Sequence, residues 1–268
     1  MQLVPVSSER RGLIRLGMSR VVLSLGLLLA CTSCSSADTE PPPEGMVSVP
    51  ASGSSYAIDA TEVTASAYAA FLAESPTSAG QSASCATNDS FVPAGEWPQQ
   101  GDGQLPVVNV DYCDAVAYCK WAGKHLCGMR GTVADPHEAY NDEEKNEWYR
   151  ACSAAETRLY PYGGNPFDPS EIKNAYRPDA CNGKDKGIGA PIAVGTLPGC
   201  EGGHPGLFDM SGNVSEWSDD CDQGQCAVRG GSFQHAGPAG FISMLDCTAT
   251  TYDSPDTSRA DLGFRCCK

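Results

Sequence analysis

Fourteen cysteines in 268 residues constrain this chain more than any other feature of its sequence. Their fate as thiolates, metal ligands or cross-links depends on the compartment, and the first thirty residues speak to that. Arg10, Arg11, Arg15 and Arg20 precede the short apolar run VVLSLGLLLAC. Such a run is too short for a membrane-spanning helix, which needs about 20 residues, and reads as an export signal. An exported chain meets oxidising surroundings, so the twelve cysteines after residue 45 are expected to form six disulfides. Zinc fails on spacing: within residues 46–268 no CxxC occurs, and His125, His137, His204 and His235 do not fall at ligand intervals.

The signal ends in LLAC, the pattern of a bacterial lipoprotein box, which makes Cys31 the expected lipidated residue. Cys34 is the rival. Its preceding CTS lacks the upstream aliphatic residue, although processing there would leave no odd thiol behind. Residues 31–45 then read as a tether, stiffened at its end by Pro41 to Pro43. These features predict an exported lipoprotein of the cell envelope, on the periplasmic or outer-membrane face, held by its lipid. The whole chain carries 18 basic and 33 acidic residues, net −15. Without the four arginines and one glutamate of residues 1–30, 14 and 32 remain, net −18. Such a surface repels nucleic acid and anionic headgroups. A monomer is expected.

Residues 46–268 contain neither a repeat nor a second linker and are read as one domain. MVSVPASGSSYAIDATEVT alternates as an edge hairpin does. Thr64 is placed to cap a helix ending before Pro76, and Asp111 to cap one stopped by Gly123. NDEEKNEWYRACSAA, residues 141–155, reads as a third helix with acids in its first turn. From about residue 157 the density of Gly, Pro, Asn and Asp predicts loops and short strands. Cys221 and Cys226 flank DQGQ at a spacing that allows a short loop to close.

Three stretches, PVVNVDYCDAVAYCKWAGKHL, GLFDMSGNVSEW and VRGGSF followed by DLGFRCC, resemble in order and spacing the formylglycine-generating enzyme (sulfatase-modifying factor) family. The resemblance covers about residues 46–268. It implies an α+β fold, a variant of the C-type lectin fold with little regular secondary structure, here disulfide-rich. By position it implies the pairs Cys119–Cys266 and Cys152–Cys247. Cys181 with Cys200, Cys113 with Cys127 and Cys85 with Cys267 are the remaining assignments considered, since sequence alone does not fix connectivity.

The resemblance also implies structural calcium. One site would use Asp209, Gly212, Val214 and Glu216, the middle two through carbonyls, and a second Asn182 and Asp185; calcium takes six to eight oxygens. A solvated turn with unrelated acids is the plainer alternative.

Catalysis is where the chain departs from the family. The family binds Cu(I) between two thiolates, soft ligands suited to that ion. They are spaced C-x4-C and begin three residues after the Ser of GGS. Counted from Ser232, those places hold His235 and Gly240. The first Trp of the family's WEW core is Ser215. No nucleophile elbow GxSxG is present. No catalytic residue is therefore assigned and no copper is expected. The reading is a binding module whose cleft, formed by Ser215, Arg229, Ser232, Phe233 and His235, takes a peptide or glycan. Two alternatives stand beside it: a divergent oxidoreductase or other metal enzyme acting on exported proteins, with His235 and Asp246 or Asp261 as ligands, and a purely structural envelope lipoprotein.

Overall fold

Thr64 opens the first helix, α1 (Ala65–Ala73), by accepting a hydrogen bond from the Ala67 N–H. The computed structural model describes residues 41–99, 101, 103–130, 139–172, 174–238 and 243–268. Cys31, Cys34, the export segment and Gly240 lie outside them, as does most of the tether. Helix α2 (Tyr112–Trp121) starts with a reciprocal capping box, in which Asp111 accepts from the Asp114 N–H and Asp114 from the Asp111 N–H. Gly123, at φ +70°, follows its end.

The third helix, α3, covers only Glu147–Ser153 and not the longer span expected. Asn146 caps it by accepting from the Tyr149 N–H, and Asp142 to Lys145 form a turn before it. The acids ahead of the cap serve another purpose: Arg150, inside the helix, reaches back to Glu143 and Glu144.

Two four-stranded sheets complete the fold. The first contains β1 (Met46–Val49), β2 (Tyr56–Asp59), β3 (His125–Leu126) and β8 (Cys266–Cys267), in the order β1-β2-β8-β3. The β1–β2 hairpin pairs Met46 with Asp59 and Val49 with Tyr56. The second contains β4 (Ser215–Asp222), β5 (Gln225–Arg229), β6 (Thr250–Asp253) and β7 (Leu262–Phe264), in the order β6-β5-β4-β7. Its β4–β7 pair is parallel. Among the described residues no helix exceeds ten residues and no strand exceeds eight, so the α+β fold is loop-rich. Residues Pro41–Lys268 make up one unit.

The unit has two main hydrophobic clusters. Tyr68, Phe71, Tyr118, Trp217 and Phe264 lie in one, with ring contacts Tyr68–Phe71 at 5.3 Å and Tyr118–Phe264 at 5.4 Å. Ile58, Trp148, Leu207 and Met210 lie in the other. Each such side chain contributes roughly 1.5–3 kcal/mol on burial. Successive residues of a strand face opposite sides. Adjacent Cys266 and Cys267 of β8 accordingly enter different clusters, and each is cross-linked there.

All twelve cysteines of residues 46–268 are in disulfides: Cys85–Cys113, Cys119–Cys266, Cys127–Cys267, Cys152–Cys247, Cys181–Cys200 and Cys221–Cys226. Two of the expected pairs need correction. Cys113 does not join Cys127, and Cys85 does not join Cys267. The β3–β8 pairing sets Leu126 opposite Cys266 and brings Cys127 within 4.9 Å of Cys267, Cα to Cα. Cys85, in the short turn Ala83–Cys85, then faces Cys113 of α2 at 5.6 Å.

Candidate functional site

The two family-like segments 209–216 and 229–235 lie side by side. The Gly212 N–H donates to the Gly230 carbonyl, and the Phe233 N–H to the Asn213 carbonyl. Both turns are built for close approach. A Cβ on Gly212 (φ +75°) would stand 2.7 Å from the Asn182 oxygen, and one on Gly231 (φ +63°) 2.4 Å from the Met244 oxygen. Only glycine fits these places.

Of the five residues expected to line a cleft, three are buried. Ser215, Arg229 and Ser232 are 2%, 1% and 0% exposed. Arg229 turns into the protein because its partners are there. It pairs with the buried Asp220 at 3.4 Å, donates to the Tyr140 carbonyl and lies over the Trp148 ring at 5.6 Å. Ser215 is the first residue of β4 and pairs with Leu262. Phe233 and His235 alone of the five are partly exposed.

His235 is held in a tight turn. Its Nδ1 accepts from the Ser232 N–H at 2.9 Å, and its own N–H donates to the Ser232 carbonyl at 2.9 Å. The Ser232 hydroxyl donates to Asp261 Oδ2 at 2.8 Å, and Arg259 Nε donates to Asp261 Oδ1 at 3.2 Å. Burial keeps the His235 imidazole below its ordinary pKa. The Ser232 hydroxyl also lies 3.1 Å from His235 Nδ1, but Ser232 is fully buried, so its oxygen does not reach a substrate as a nucleophile would. Asp246 is engaged elsewhere, accepting from the Thr248 hydroxyl and the N–H groups of Thr248 and Ala249.

The residues expected to hold calcium are dispersed among other partners. Both carboxylate oxygens of Glu216 are committed. Oε1 accepts from Arg265 Nη2 at 2.6 Å, and Oε2 from Arg265 Nε at 2.8 Å and Trp148 Nε1 at 2.7 Å. As a counter-ion to a buried guanidinium, Glu216 does not fit a calcium ligand. Asp185 is at the surface, accepting from the Tyr176 hydroxyl and the Gly237 N–H, while Asn182 is fully buried. Asn182 and Asp185 share no hydrogen-bond partner among the described residues, Asn182 Nδ2 donating to the Ala190 carbonyl and to Asn213 Oδ1. A different group was not legible beforehand. Glu62 (1% exposed) stands beside Asp209 (2%), and burial raises the pKa of both. Glu62 Oε1 accepts from Asn213 Nδ2 at 3.0 Å, and Asn213 Oδ1 from Asn182 Nδ2 at 3.1 Å. Glu62 Oε2 and Asn182 Oδ1 are buried without a partner. Among the described residues no group of three or more His, Cys, Asp or Glu is arranged to hold a metal ion.

Other hollows lie away from this loop pair. An apolar groove of about 490 Å³ runs between α1 and α2, with Phe71, Val116 and Trp121 in its walls. A polar one of about 270 Å³ is lined by Asp111, Asp114 and Asp256.

The comparisons agree with this geometry. The family described as "Sulfatase-modifying factor enzyme 1-like domain" matches residues 19–268. Formylglycine-generating enzyme of Mus musculus is 31% identical over 183 residues, 60% of this chain and 43% of its own length. "Inactive C-alpha-formylglycine-generating enzyme 2" of Bos taurus is 29% identical over 170 residues, 61% of this chain and 50% of its own. The matched region thus spans about half the length of these curated relatives. The solved structure of PvdO from Pseudomonas aeruginosa superposes with a TM-score of 0.52 at 20% identity, covering 82% of each chain. That of CarF gives 0.51 at 20% identity over 80% of this chain and 86% of its own. Motifs, fold and family match converge, and the chain belongs to the formylglycine-generating enzyme (sulfatase-modifying factor) family.

Proposed function

We propose that this chain is a lipid-anchored, non-catalytic binding module of the cell envelope that takes up an exported peptide or glycan. The observation that carries the reading is that all twelve cysteines of residues 46–268 are disulfide-bonded, leaving no thiolate pair for Cu(I) in that part of the chain. The sequence agrees, with His235 and Gly240 at the C-x4-C places. Loss of the chemistry has a precedent by name in the inactive relative from Bos taurus.

Calcium belongs to the same reading, with altered ligands. Asp209 and Glu62 would supply carboxylates and Asn182 an amide oxygen; the unpartnered oxygens of Glu62 and Asn182 support this. A bound calcium would offset the repulsion of two buried carboxylates and tie the loop at 209–216 to the segment at Asn182. Glu216 takes no part, being paired with Arg265.

The test is incubation of the purified chain with Cu(I), O₂ and a sulfatase-type peptide containing CxPxR, read by mass spectrometry. No formylglycine beside a working enzyme control is the expected result. Conversion would overturn the reading.

A further inference from the structure

We propose that the groove between α1 and α2 is a separate binding site for a medium-chain fatty carboxylate, its tail on the aromatic wall and its head at Lys120. The site lies away from the loop pair at 209–216 and 229–235 and does not depend on the binding-module reading. Cys113, Val116, Ala117 and Lys120 stand at i, i+3, i+4 and i+7, so one face of α2 supplies one wall. Phe71 lies 5.6 Å from Phe91 and 5.5 Å from Trp121, ring to ring. Trp121 is 38% exposed, whereas Trp148 and Trp217 are fully buried. Covering an exposed indole beside an apolar hollow is favourable. The volume, about 490 Å³, falls within the roughly 300–1,000 Å³ of small-molecule sites.

The hollow is formed before any ligand arrives. The Cys85–Cys113 disulfide joins the segment at 76–85 to α2. Gln81 Nε2 donates to the Ser78 carbonyl at 3.1 Å and the Asn88 carbonyl at 2.8 Å, and Asn88 Nδ2 donates to Asp114 Oδ1 of α2 at 3.1 Å. The Tyr68 hydroxyl donates to the Phe91 carbonyl at 2.8 Å. Trp121 Nε1 donates to Glu74 Oε2 at 2.8 Å, which fixes the indole. A ligand therefore meets walls whose ordering cost is already met by the fold.

Charge and hydrogen bonding select the occupant. The chain has 33 acidic residues, yet no Asp or Glu is among the described residues lining the groove, and Lys120 is their one cation. Lys120 is exposed and forms no ion pair among the described residues. Glu74 takes the indole N–H, which leaves Lys120 for the head. The other polar side chains of the wall offer little to a peptide. The Gln81 amide is engaged, the Ser82 hydroxyl is 2.8 Å from that of Ser84, and only the exposed Thr77 adds a hydroxyl. Backbone amides would lose water here without gaining partners, whereas an alkyl tail has none to lose. A single ammonium is a point charge that matches one carboxylate.

The test uses the full chain, labelled with 5-fluorotryptophan, in phosphatidylcholine nanodiscs. Four tryptophans give four ¹⁹F resonances, and Trp121→Phe assigns that of Trp121. Octanoate should move this resonance saturably and leave those of Trp148 and Trp217 in place, which also reports an intact fold. Octanamide, equal in length but uncharged, should bind about fivefold more weakly, the upper end for an exposed ion pair. Lys120→Gln should remove the difference between the two. No saturable shift with octanoate would overturn the site, and equal affinity for octanoate and octanamide in the unaltered chain would overturn the carboxylate. Three further results would each overturn the proposal by giving the groove to another occupant. A larger response to N-acetyl-leucyl-leucine amide would assign a peptide, a Trp121 resonance that moves with protein concentration a second copy of the chain, and broadening by spin-labelled lipid before octanoate is added the membrane itself.

Discussion

Arg265 and Glu216 form a fully buried two-toothed ion pair at the junction of the two sheets. Arg265 lies between β7 and β8 in sequence, and Glu216 lies on β4. The remaining donors of the guanidinium reach the Asp59 carbonyl at 3.1 Å and the Phe208 carbonyl at 2.9 Å. One side chain thus ties the hairpin strand β2, the loop before Asp209 and both sheets. Removing one member leaves the other charged and desolvated. Glu216→Gln is expected to cost about 3–5 kcal/mol, read as a lowered urea midpoint. The double change Glu216→Leu with Arg265→Met should recover part of that loss; no recovery would contradict the pairing as the source.

The disulfides should differ in worth by the loop each closes. By the chain-entropy relation, Cys119–Cys266, with a separation of 147, contributes about 5 kcal/mol and Cys221–Cys226, with a separation of 5, about 2. Replacing each pair by serines and comparing melting temperatures checks the order. An equal loss for both would count against the loop-entropy account.

Helix α2 predicts a pH effect. Burial, and then the neighbouring Asp111, push the Asp114 carboxyl up to about 8. A folded-state pKa above the unfolded value means stability is greatest below the unfolded value of about 3.9 and falls as pH rises through about 8. Asp114→Asn should flatten the stability profile between pH 4 and 8, measured by urea unfolding at each pH. An unchanged slope would exclude Asp114 as its origin.

Chelation bears on the calcium proposal. EGTA should lower the melting temperature by several degrees, as loss of a ligand bound only by the folded state does. Asp209→Asn should remove the difference between calcium and EGTA. An identical melt in both would dispose of the ion.

The anchor is tested by fractionation. Cys31→Ala should move the protein from membranes to the soluble fraction. Retention, with release by Cys34→Ala, would relocate the lipid to Cys34.

Local signals in the sequence were sufficient wherever neighbours along the chain decide the outcome. Thr64 and Asp111 start helices because their side chains reach N–H groups three residues on. Cys221 and Cys226 bond because a hairpin sets them opposite one another. The absence of thiols from positions 229–240 is likewise a fact of sequence. Tertiary structure decided what depends on distant partners. Cys127 found Cys267 only through the β3–β8 pairing, which also left Cys113 to Cys85. Arg229 looks like a cleft residue beside GGSF until Asp220 and Trp148 draw it inward. Glu216 reads as a calcium ligand until Arg265, 49 residues away, claims both of its oxygens. Burial is the common reason: a desolvated charge must be matched, and its match is set by which strands lie side by side, not by spacing along the chain.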